Sequence, residues 1–209
     1  MVSWLKTHQP TDKQTINPPN HFLLPSPNPM PTHITVFGAS QPQPGDSTYE
    51  QALLLGKLLG QSGYTVLTGG YMGTMEAVSR GAAEAGGHTI GVTCEEIENW
   101  RKAKANPWVK EEWKKVTLKD RLHTLVESCD AALALPGGIG TLAEIAIYWS
   151  DLQVGILSPR PLILIGPGWR ATFETLLETQ APYIRPEYRK LVTFVEDVEE
   201  AVRVLNQNE

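Results

Sequence analysis

The sequence predicts an α/β fold in which a parallel β-sheet carries helices on both faces. Short apolar segments rich in β-branched residues alternate along the chain with segments of helical periodicity. The apolar segments are hydrophobic on both sides, which is typical of strands in the interior of a covered sheet. Strands that alternate with helices pair in parallel through crossover connections, so we expect a single doubly wound, Rossmann-like domain.

The individual elements follow this pattern in order. The first predicted strand is HITVFG, residues 33–38, and the helix after it has Leu53, Leu54 and Leu58 on one face. Further strands are predicted at residues 64–70, 88–93, 131–136, 161–166 and 191–196. Helices are predicted after these strands, over TMEAVSRGAAEAGG, TLKDRLHTLVESC, TLAEIAIYWSDLQ, WRATFETLLETQ and DVEEAVRVLNQ. The polar segment 94–115 is predicted to be a long loop with a helical piece.

Residues 1–32 differ in composition from the rest of the chain. They are dense in proline and asparagine, and they lack the periodicity of a packed helix or strand. Such a segment cannot bury enough apolar surface to offset the entropy lost on ordering. We therefore expect a disordered N-terminal extension, followed by one domain over residues 33–209.

Composition and charge narrow the class of partner. The chain has 209 residues and a net charge of -5, which disfavours both nucleic acid and a membrane surface. No segment approaches the ~18 consecutive apolar residues of a membrane span. The two cysteines, Cys94 and Cys129, form neither a disulfide framework nor a zinc motif. We expect a cytoplasmic protein that uses no metal or other cofactor and whose partner is a small molecule.

Glycines and small polar residues stand at three predicted strand ends, where a parallel sheet binds its ligands. Glycine lets the backbone turn sharply and approach a ligand, and the N–H groups at a helix start favour a phosphate or carboxylate. An anion site built from these strand ends is therefore predicted. Its expected residues are Gly38, Ser40, Gly69, Gly70, Gly73, Gly137, Gly138, Ile139, Gly140 and Thr141.

Two common nucleotide motifs do not fit these loops. A P-loop needs a lysine after its glycines, and neither glycine-rich loop has one. Residues 138–143 match the dinucleotide pattern G-x-G-x-x-A. That pattern expects an acidic residue at the end of the next strand, and PLILIG contains none. Classical NAD binding is therefore disfavoured.

Two charged residues near the third strand end each allow two interpretations. Thr141-x-x-Glu144 has the spacing of a capping box, in which the glutamate binds the threonine amide. Alternatively, Glu144 faces the ligand from the first helical turn. Arg121 lies on the helix that leads into the same strand, where it is either a solvated surface residue or a phosphate ligand.

The nine residues from Pro136 to Glu144, PGGIGTLAE, match P-G-G-x-G-T-x-x-E, a specific motif of the LONELY GUY (LOG) family, also labelled "possible lysine decarboxylase". TGGYMGTMEAV, VFGAS and YWSDLQVGI resemble other stretches of that family, and the likeness covers about residues 33–205. The resemblance implies a Rossmann-like homodimer that binds a nucleoside 5'-monophosphate. It also implies hydrolysis of the N-glycosidic bond of cytokinin riboside monophosphates or AMP, with Arg121 and Glu144 as the catalytic pair.

Two departures from the family pattern leave a second function open. The family stretch M-H-x-R-K reads LKDRL here and retains only Arg121, and Ala143 stands where a second glutamate is usual. Some family members bind the molybdenum cofactor without hydrolysis, so a carrier-type binding protein is the alternative. A decarboxylase is disfavoured, since no lysine lies in or beside either glycine loop to hold pyridoxal phosphate. Helix TLAEIAIYWSDLQ is too apolar for a single buried stripe, and either a dimer surface or a fully buried helix would explain the excess.

Overall fold

Parallel strands form one sheet across residues 33–207, the part of the chain that the computed structural model describes. The strands are β1 (His33–Phe37), β2 (Thr65–Thr68), β3 (Thr89–Cys94), β4 (Glu111–Lys115), β5 (Ala131–Ala134), β6 (Leu162–Ile165) and β7 (Thr193–Val195). Their order across the sheet is β4-β3-β2-β1-β5-β6-β7. The chain runs one way from β1 to β4 and the other way from β5 to β7, so the topological switch point lies between β1 and β5. Ligands bind sheets of this kind at the carboxyl ends of the strands beside that point.

Each strand is followed by at least one helix. They are α1 (Ser47–Gln61), α2 (Thr74–Glu84), α3 (Glu95–Arg101), α4 (Leu118–Glu127), α5 (Ile139–Val154), α6 (Pro167–Thr179), α7 (Pro186–Arg189) and α8 (Val198–Gln207). A short 3-10 turn, Ala181–Tyr183, separates α6 from α7.

The helices cover both faces of the sheet. On one face, α1, α2 and α8 pack on alternate strand residues such as Ile34, Val36 and Leu133. On the other face, α4, α5 and α6 pack on the intervening residues, among them Phe37 and Ala132. Because successive residues of a strand point to opposite faces, each central strand contributes to two cores and is buried along most of its length. The predicted doubly wound, Rossmann-like α/β fold is confirmed.

The segment between β3 and α4 is more regular than predicted. It contains α3 and also β4, which pairs in parallel with β3 from Ile90–Glu111 to Cys94–Lys115. The prediction of a loop with a helical piece was therefore wrong for EEWKK. This strand lies at the edge of the sheet and is largely exposed, so its residues are polar and lack the apolar pattern that marked the interior strands.

Residues 1–32 and 208–209 lie outside the described part of the chain, and the disordered extension expected over residues 1–32 stays a prediction. Within residues 33–207, no helix combines the length and the apolar character that crossing a bilayer would require.

Candidate functional site

A cavity of about 630 Å³ opens at the carboxyl ends of the strands, beside the switch point. Its volume lies within the range of roughly 300–1,000 Å³ that is usual for small-molecule sites. Residues after β1, the residues around the start of α2, helix α3, the first turns of α4 and the start of α5 all contribute to its wall. The two charged residues with open interpretations, Arg121 and Glu144, both line it.

Arg121 is a buried residue of α4, with only 5% of its surface exposed. Its Nε donates a hydrogen bond to the carbonyl oxygen of Val92 in β3 at 2.8 Å. Its Nη2 donates to the carbonyl oxygen of Gly69, just after β2, at 3.1 Å. The ring of Tyr71 lies 5.6 Å from the guanidinium carbon. These contacts fix the guanidinium across two neighbouring strand ends, so the solvated interpretation of Arg121 is wrong.

Gly69 is required by the position of this arginine. A Cβ atom added to Gly69 would lie 1.8 Å from Arg121 Nη2 and 2.6 Å from Met75 Sδ. Real Cβ atoms do not approach other atoms so closely, and the guanidinium cannot retreat without giving up its hydrogen bonds. The absence of a side chain at Gly69 is thus the condition for a buried Arg121.

Glu144 lies on α5 and does not form the predicted capping box. Helix α5 begins at Ile139 with Gly138 as its N-cap, and the N–H of Leu142 already donates to Gly138 oxygen at 2.9 Å. Thr141 is therefore the third helical residue, and Glu144 lies too far into the helix to reach back to a cap. The Glu144 side chain instead faces Arg121, with 3.7 Å between Oε1 and Nη1.

The surroundings of Glu144 change its acidity. Burial raises the pKa of its carboxyl group from 4.5 to about 7, although the Arg121 guanidinium acts in the opposite direction. Near neutral pH the residue therefore exists in both its protonated and ionised forms. A carboxyl group of this kind is suited to proton transfer and to stabilising a developing positive charge.

The start of α5 has the geometry of an anion site. The N–H groups of Ile139, Gly140 and Thr141 precede the first intrahelical hydrogen bond, and no side chain within residues 33–207 caps them. A Cβ at Gly138 or Gly140 would meet no described atom within 4 Å, so packing within the chain does not require glycine at either position. Both glycines line the cavity, and their missing side chains leave a ligand free to approach the backbone.

The other predicted site residues lie either in or next to the cavity, or outside it. Gly38 and Ser40 line the cavity together with Gly138, Ile139, Gly140 and Thr141. Gly137 lies in a shallow depression next to it, where its missing side chain makes room for Thr141. Gly69, Gly70 and Gly73 do not contribute to the cavity wall.

Gly70 and Gly73 make contacts within the chain. The Gly70 carbonyl accepts hydrogen bonds from the backbone N–H of Asn106 at 2.8 Å and from its Nδ2 at 3.1 Å. Gly73 has a positive φ, and a Cβ there would lie 2.4 Å from Ala39 oxygen. This loop therefore holds the strand ends against one another and supports Arg121 through Gly69.

Residues 31–181 match the model of the SLOG cluster4 family, and this range includes both Arg121 and Glu144. The chain belongs to that family. The match agrees with the LOG resemblance seen in the sequence, which is thereby confirmed.

Proteins similar to this SLOG cluster4 chain include phosphoribohydrolases and molybdenum cofactor binding proteins. A cytokinin riboside 5'-monophosphate phosphoribohydrolase of Mycobacterium tuberculosis is 29% identical over 176 residues, which are 81% of this chain and 91% of that protein. A molybdenum cofactor carrier protein of Chlamydomonas reinhardtii has a similar structure, with a TM-score of 0.63 and 26% identity over 84% of this chain and 96% of that one. The molybdenum cofactor binding protein of Rippkaea orientalis has a TM-score of 0.66 at 24% identity, covering 84% and 95% of the two chains.

The SLOG cluster4 cavity also has walls that sequence reasoning missed. Tyr71 and Met75 line it beside Arg121, and the Tyr71 hydroxyl accepts from the N–H of Cys94 at 2.8 Å. Ile97, Trp100 and Arg101 line it from α3. The only signal for the three α3 residues in the sequence was a tryptophan in a polar segment, because α3 is too short to show a helical period.

Proposed function

We propose that this protein is a nucleoside 5'-monophosphate phosphoribohydrolase that acts on AMP or on cytokinin riboside monophosphates. The observation that carries the proposal is the pairing of buried Glu144 with Arg121 in the cavity that also contains the uncapped start of α5. The phosphoribohydrolase name of relatives that match most of the chain supports the same conclusion.

The start of α5 would hold the 5'-phosphate. The N–H groups of Ile139, Gly140 and Thr141 and the positive end of the helix dipole favour an anion there. The open space beside Gly138 and Gly140 lets phosphate oxygens come within hydrogen-bonding distance of the backbone. Phosphate held at this end leaves the ribose beside the first turns of α5, where Glu144 lies.

Glu144 would then act at the anomeric carbon. As the C1'–N bond breaks, its electron pair leaves with the base and positive charge develops over C1' and the ring oxygen. The Glu144 carboxylate stabilises that charge and orients a water molecule, whose oxygen bonds to C1' while its proton passes by way of the carboxylate towards the base. The products are the free base and ribose 5-monophosphate, so the reaction consumes one water.

Arg121 supports this step through its charge. Its Nε and Nη2 are held by the carbonyls of Val92 and Gly69, which directs Nη1 to Glu144. The positive charge opposes the effect of burial on Glu144 and maintains a useful fraction of carboxylate near neutral pH.

The test is the release of free base from AMP and from isopentenyladenosine monophosphate, measured by chromatography. We expect Glu144→Gln to reduce the rate by at least about 100-fold, as the loss of a catalytic charge usually does. Glu127→Gln is the matched control, because Glu127 is an exposed carboxylate of α4 that pairs with His123. No base release from any nucleoside monophosphate, or equal rates for wild type and Glu144→Gln, would overturn the proposal.

A second candidate is a carrier-type protein that binds a nucleotide or phosphorylated cofactor without cleaving it. Ala143 in place of a second glutamate and the likeness to the Chlamydomonas reinhardtii carrier protein favour this candidate. The two functions differ in the fate of the ligand. Mass spectrometry of the protein after incubation with AMP detects intact nucleotide for a carrier, and base plus ribose 5-monophosphate for a hydrolase.

We also propose a homodimer. Much of the apolar surface of α5 is buried within the chain, since Ile145 and Tyr148 are fully buried and Trp149 packs on Phe173 with ring centres 5.6 Å apart. Ile139 and Leu142 stay exposed at the start of the same helix, where a second copy would cover them. Light scattering at micromolar concentration tests this, and a mass of one chain, 23.0 kDa, would contradict it.

A further inference from the structure

Trp100 is a large aromatic side chain at the rim of the cavity, with 74% of its surface exposed. It is held in place there. The guanidinium carbon of Arg101 lies 4.5 Å from the centre of the Trp100 ring, and Arg101 Nη1 donates a hydrogen bond to Ser40 Oγ at 2.9 Å. Arg101 thus connects the indole of α3 to the residues after β1, across the mouth of the cavity. An indole fixed with an open face is prepared for contact with another flat group.

The position of α3 in the sheet separates Trp100 from the anion site. Helix α3 follows β3 and α5 follows β5, and the order β3-β2-β1-β5 places three inter-strand steps between them. At about 4.8 Å for each step, the starts of α3 and α5 are roughly 14 Å apart. The end of α3, which carries Trp100, lies nearer to α5, because Arg101 reaches Ser40 after β1. Arg121 spans the space between them, because it bonds to Val92 of β3 and faces Glu144 of α5. A ligand with its phosphate at α5 and its sugar beside Glu144 therefore extends towards α3.

The wall at that end of the cavity is mostly apolar, although Glu96 and Arg101 of α3 also contribute to it. Ile97 of α3, Met75 of α2 and Leu118 of α4 line the cavity together with Trp100. Apolar side chains around one exposed indole suit a flat heterocycle, since its edges bury apolar surface and its face stacks on the ring.

We propose that Trp100 is a specificity-determining residue that stacks on the heterocyclic base of the ligand. The site then selects phosphorylated compounds that carry a planar heterocycle, such as purine nucleoside monophosphates, over simple sugar phosphates. This inference rests on the nucleotide ligand of the proposed function, and it holds whether or not that ligand is cleaved.

The test compares two ligands by titration calorimetry. The first is carbocyclic AMP, in which a methylene replaces the ribose ring oxygen, so that no oxocarbenium ion forms and binding is measured without turnover. The second is ribose 5-phosphate, which lacks the base. Stacking of a base on an aromatic ring predicts that Trp100→Ala weakens binding of carbocyclic AMP about tenfold. Binding of ribose 5-phosphate should stay unchanged, and Trp100→Phe, which keeps an aromatic face, should bind carbocyclic AMP nearly as wild type does.

Tyr183→Ala is the matched control, since Tyr183 is an aromatic residue that is 84% exposed and does not line the cavity. Three results would overturn the proposal: wild-type affinity of Trp100→Ala for carbocyclic AMP, an equal loss of affinity for both ligands, or no binding of carbocyclic AMP by the wild type. If AMP is not hydrolysed but the Trp100 effect is present, the phosphoribohydrolase proposal fails and this one stands. If AMP is hydrolysed and Trp100→Ala binds like the wild type, only this proposal fails.

Discussion

Nη1 of Arg121 lies 3.7 Å from Oε1 of Glu144, and both side chains are more than nine-tenths buried. At this distance the arginine attracts the carboxylate without donating a hydrogen bond to it, so the pairing leaves Oε1 available to a ligand or a water. Burial favours the neutral acid, the guanidinium favours the carboxylate, and the resulting pKa is about 7. The pKa of Glu144 therefore depends on both its burial and its distance from Arg121.

The first prediction concerns the pH dependence of base release. The proposed reaction needs the ionised form of Glu144, whose pKa is raised from 4.5 to about 7. We expect kcat/KM for AMP to fall as pH falls through about 7, because this ratio reports the ionisation of the free enzyme. A rate that is constant from pH 5 to pH 8 would contradict the assignment. The control is the affinity for ribose 5-phosphate over the same pH range. It measures how the second ionisation of the phosphate, at about pH 6, affects binding, so that this effect can be separated from the ionisation of Glu144.

The second prediction concerns stability. A carboxyl group whose pKa is higher in the folded than in the unfolded chain contributes stability below the unfolded value, and this contribution is lost as pH rises through the folded value. For Glu144 the window runs from 4.5 to about 7. Relative to Glu144→Gln, the wild type should lose free energy of unfolding across it, by about 3 kcal/mol at about 1.4 kcal/mol for each pKa unit. Urea denaturation of both proteins at several pH values measures the difference, and parallel curves would refute the expectation.

The third prediction is that Gly69→Ala inactivates the site by displacing Arg121. The new methyl group would stand 1.8 Å from Nη2, so the guanidinium must move away from the carbonyls of Gly69 and Val92. Leaving these buried acceptors without a donor costs about 1–3 kcal/mol each. We expect a lower free energy of unfolding and at least about tenfold slower base release, since a small misplacement of catalytic groups has large effects.

Gly168→Ala is the control for this substitution. Gly168 lies in α6, away from the cavity, and a Cβ there would meet no described atom within 4 Å. The free energy of unfolding should equal or slightly exceed that of the wild type, because alanine favours a helix. The rate of base release should be unchanged. If Gly69→Ala behaved in the same way, Arg121 would not depend on the space at Gly69.

The fourth prediction separates ligand binding from folding at Gly140. This residue lies in the first turn of α5, and a Cβ would contact no described atom within 4 Å, yet it would project beside the cavity. Gly140→Ala should therefore leave the free energy of unfolding unchanged or raise it by up to about 1 kcal/mol. Affinity for ribose 5-phosphate should fall at least about tenfold, because the methyl group hinders approach to the N–H groups. Unchanged affinity would place the phosphate elsewhere.

The interior strands and the edge strand β7 were predictable from the sequence, whereas the edge strand β4 was not. Strands β1, β2, β3, β5 and β6 are buried on both faces, so hydrophobicity alone marks them. Within residues 33–207, strand β4 pairs only with β3 and is exposed, and nothing in EEWKK distinguishes an edge strand from a polar loop. Its hydrogen bonds to β3 are tertiary contacts that a local pattern does not encode.

In the candidate site, the spacing of neighbouring residues gave wrong predictions wherever contacts between distant parts of the sequence determine a side chain's position. The interval from Thr141 to Glu144 has the form of a capping box, but α5 begins two residues earlier, at Ile139. Arg121 occupies a helix position that is usually solvated, and contacts that are distant in the sequence, above all those with the carbonyls of Val92 and Gly69, hold it inside. Trp100 joins the cavity through the fold of α3 and its bridge to Ser40, which spans 61 positions from Arg101. These relationships depend on the complete sheet.

The lack of a side chain at Gly69 also constrains how such sequences diverge. Gly69 and Arg121 stand 52 positions apart, yet one provides the space and an acceptor that the other uses. A chain that retains the arginine is therefore expected to disfavour any larger residue at the glycine position, whereas loss of the arginine would remove that restriction. The two positions should therefore be inherited as a pair, and this pairing would sort distant relatives into those that keep the charged centre and those that have abandoned it.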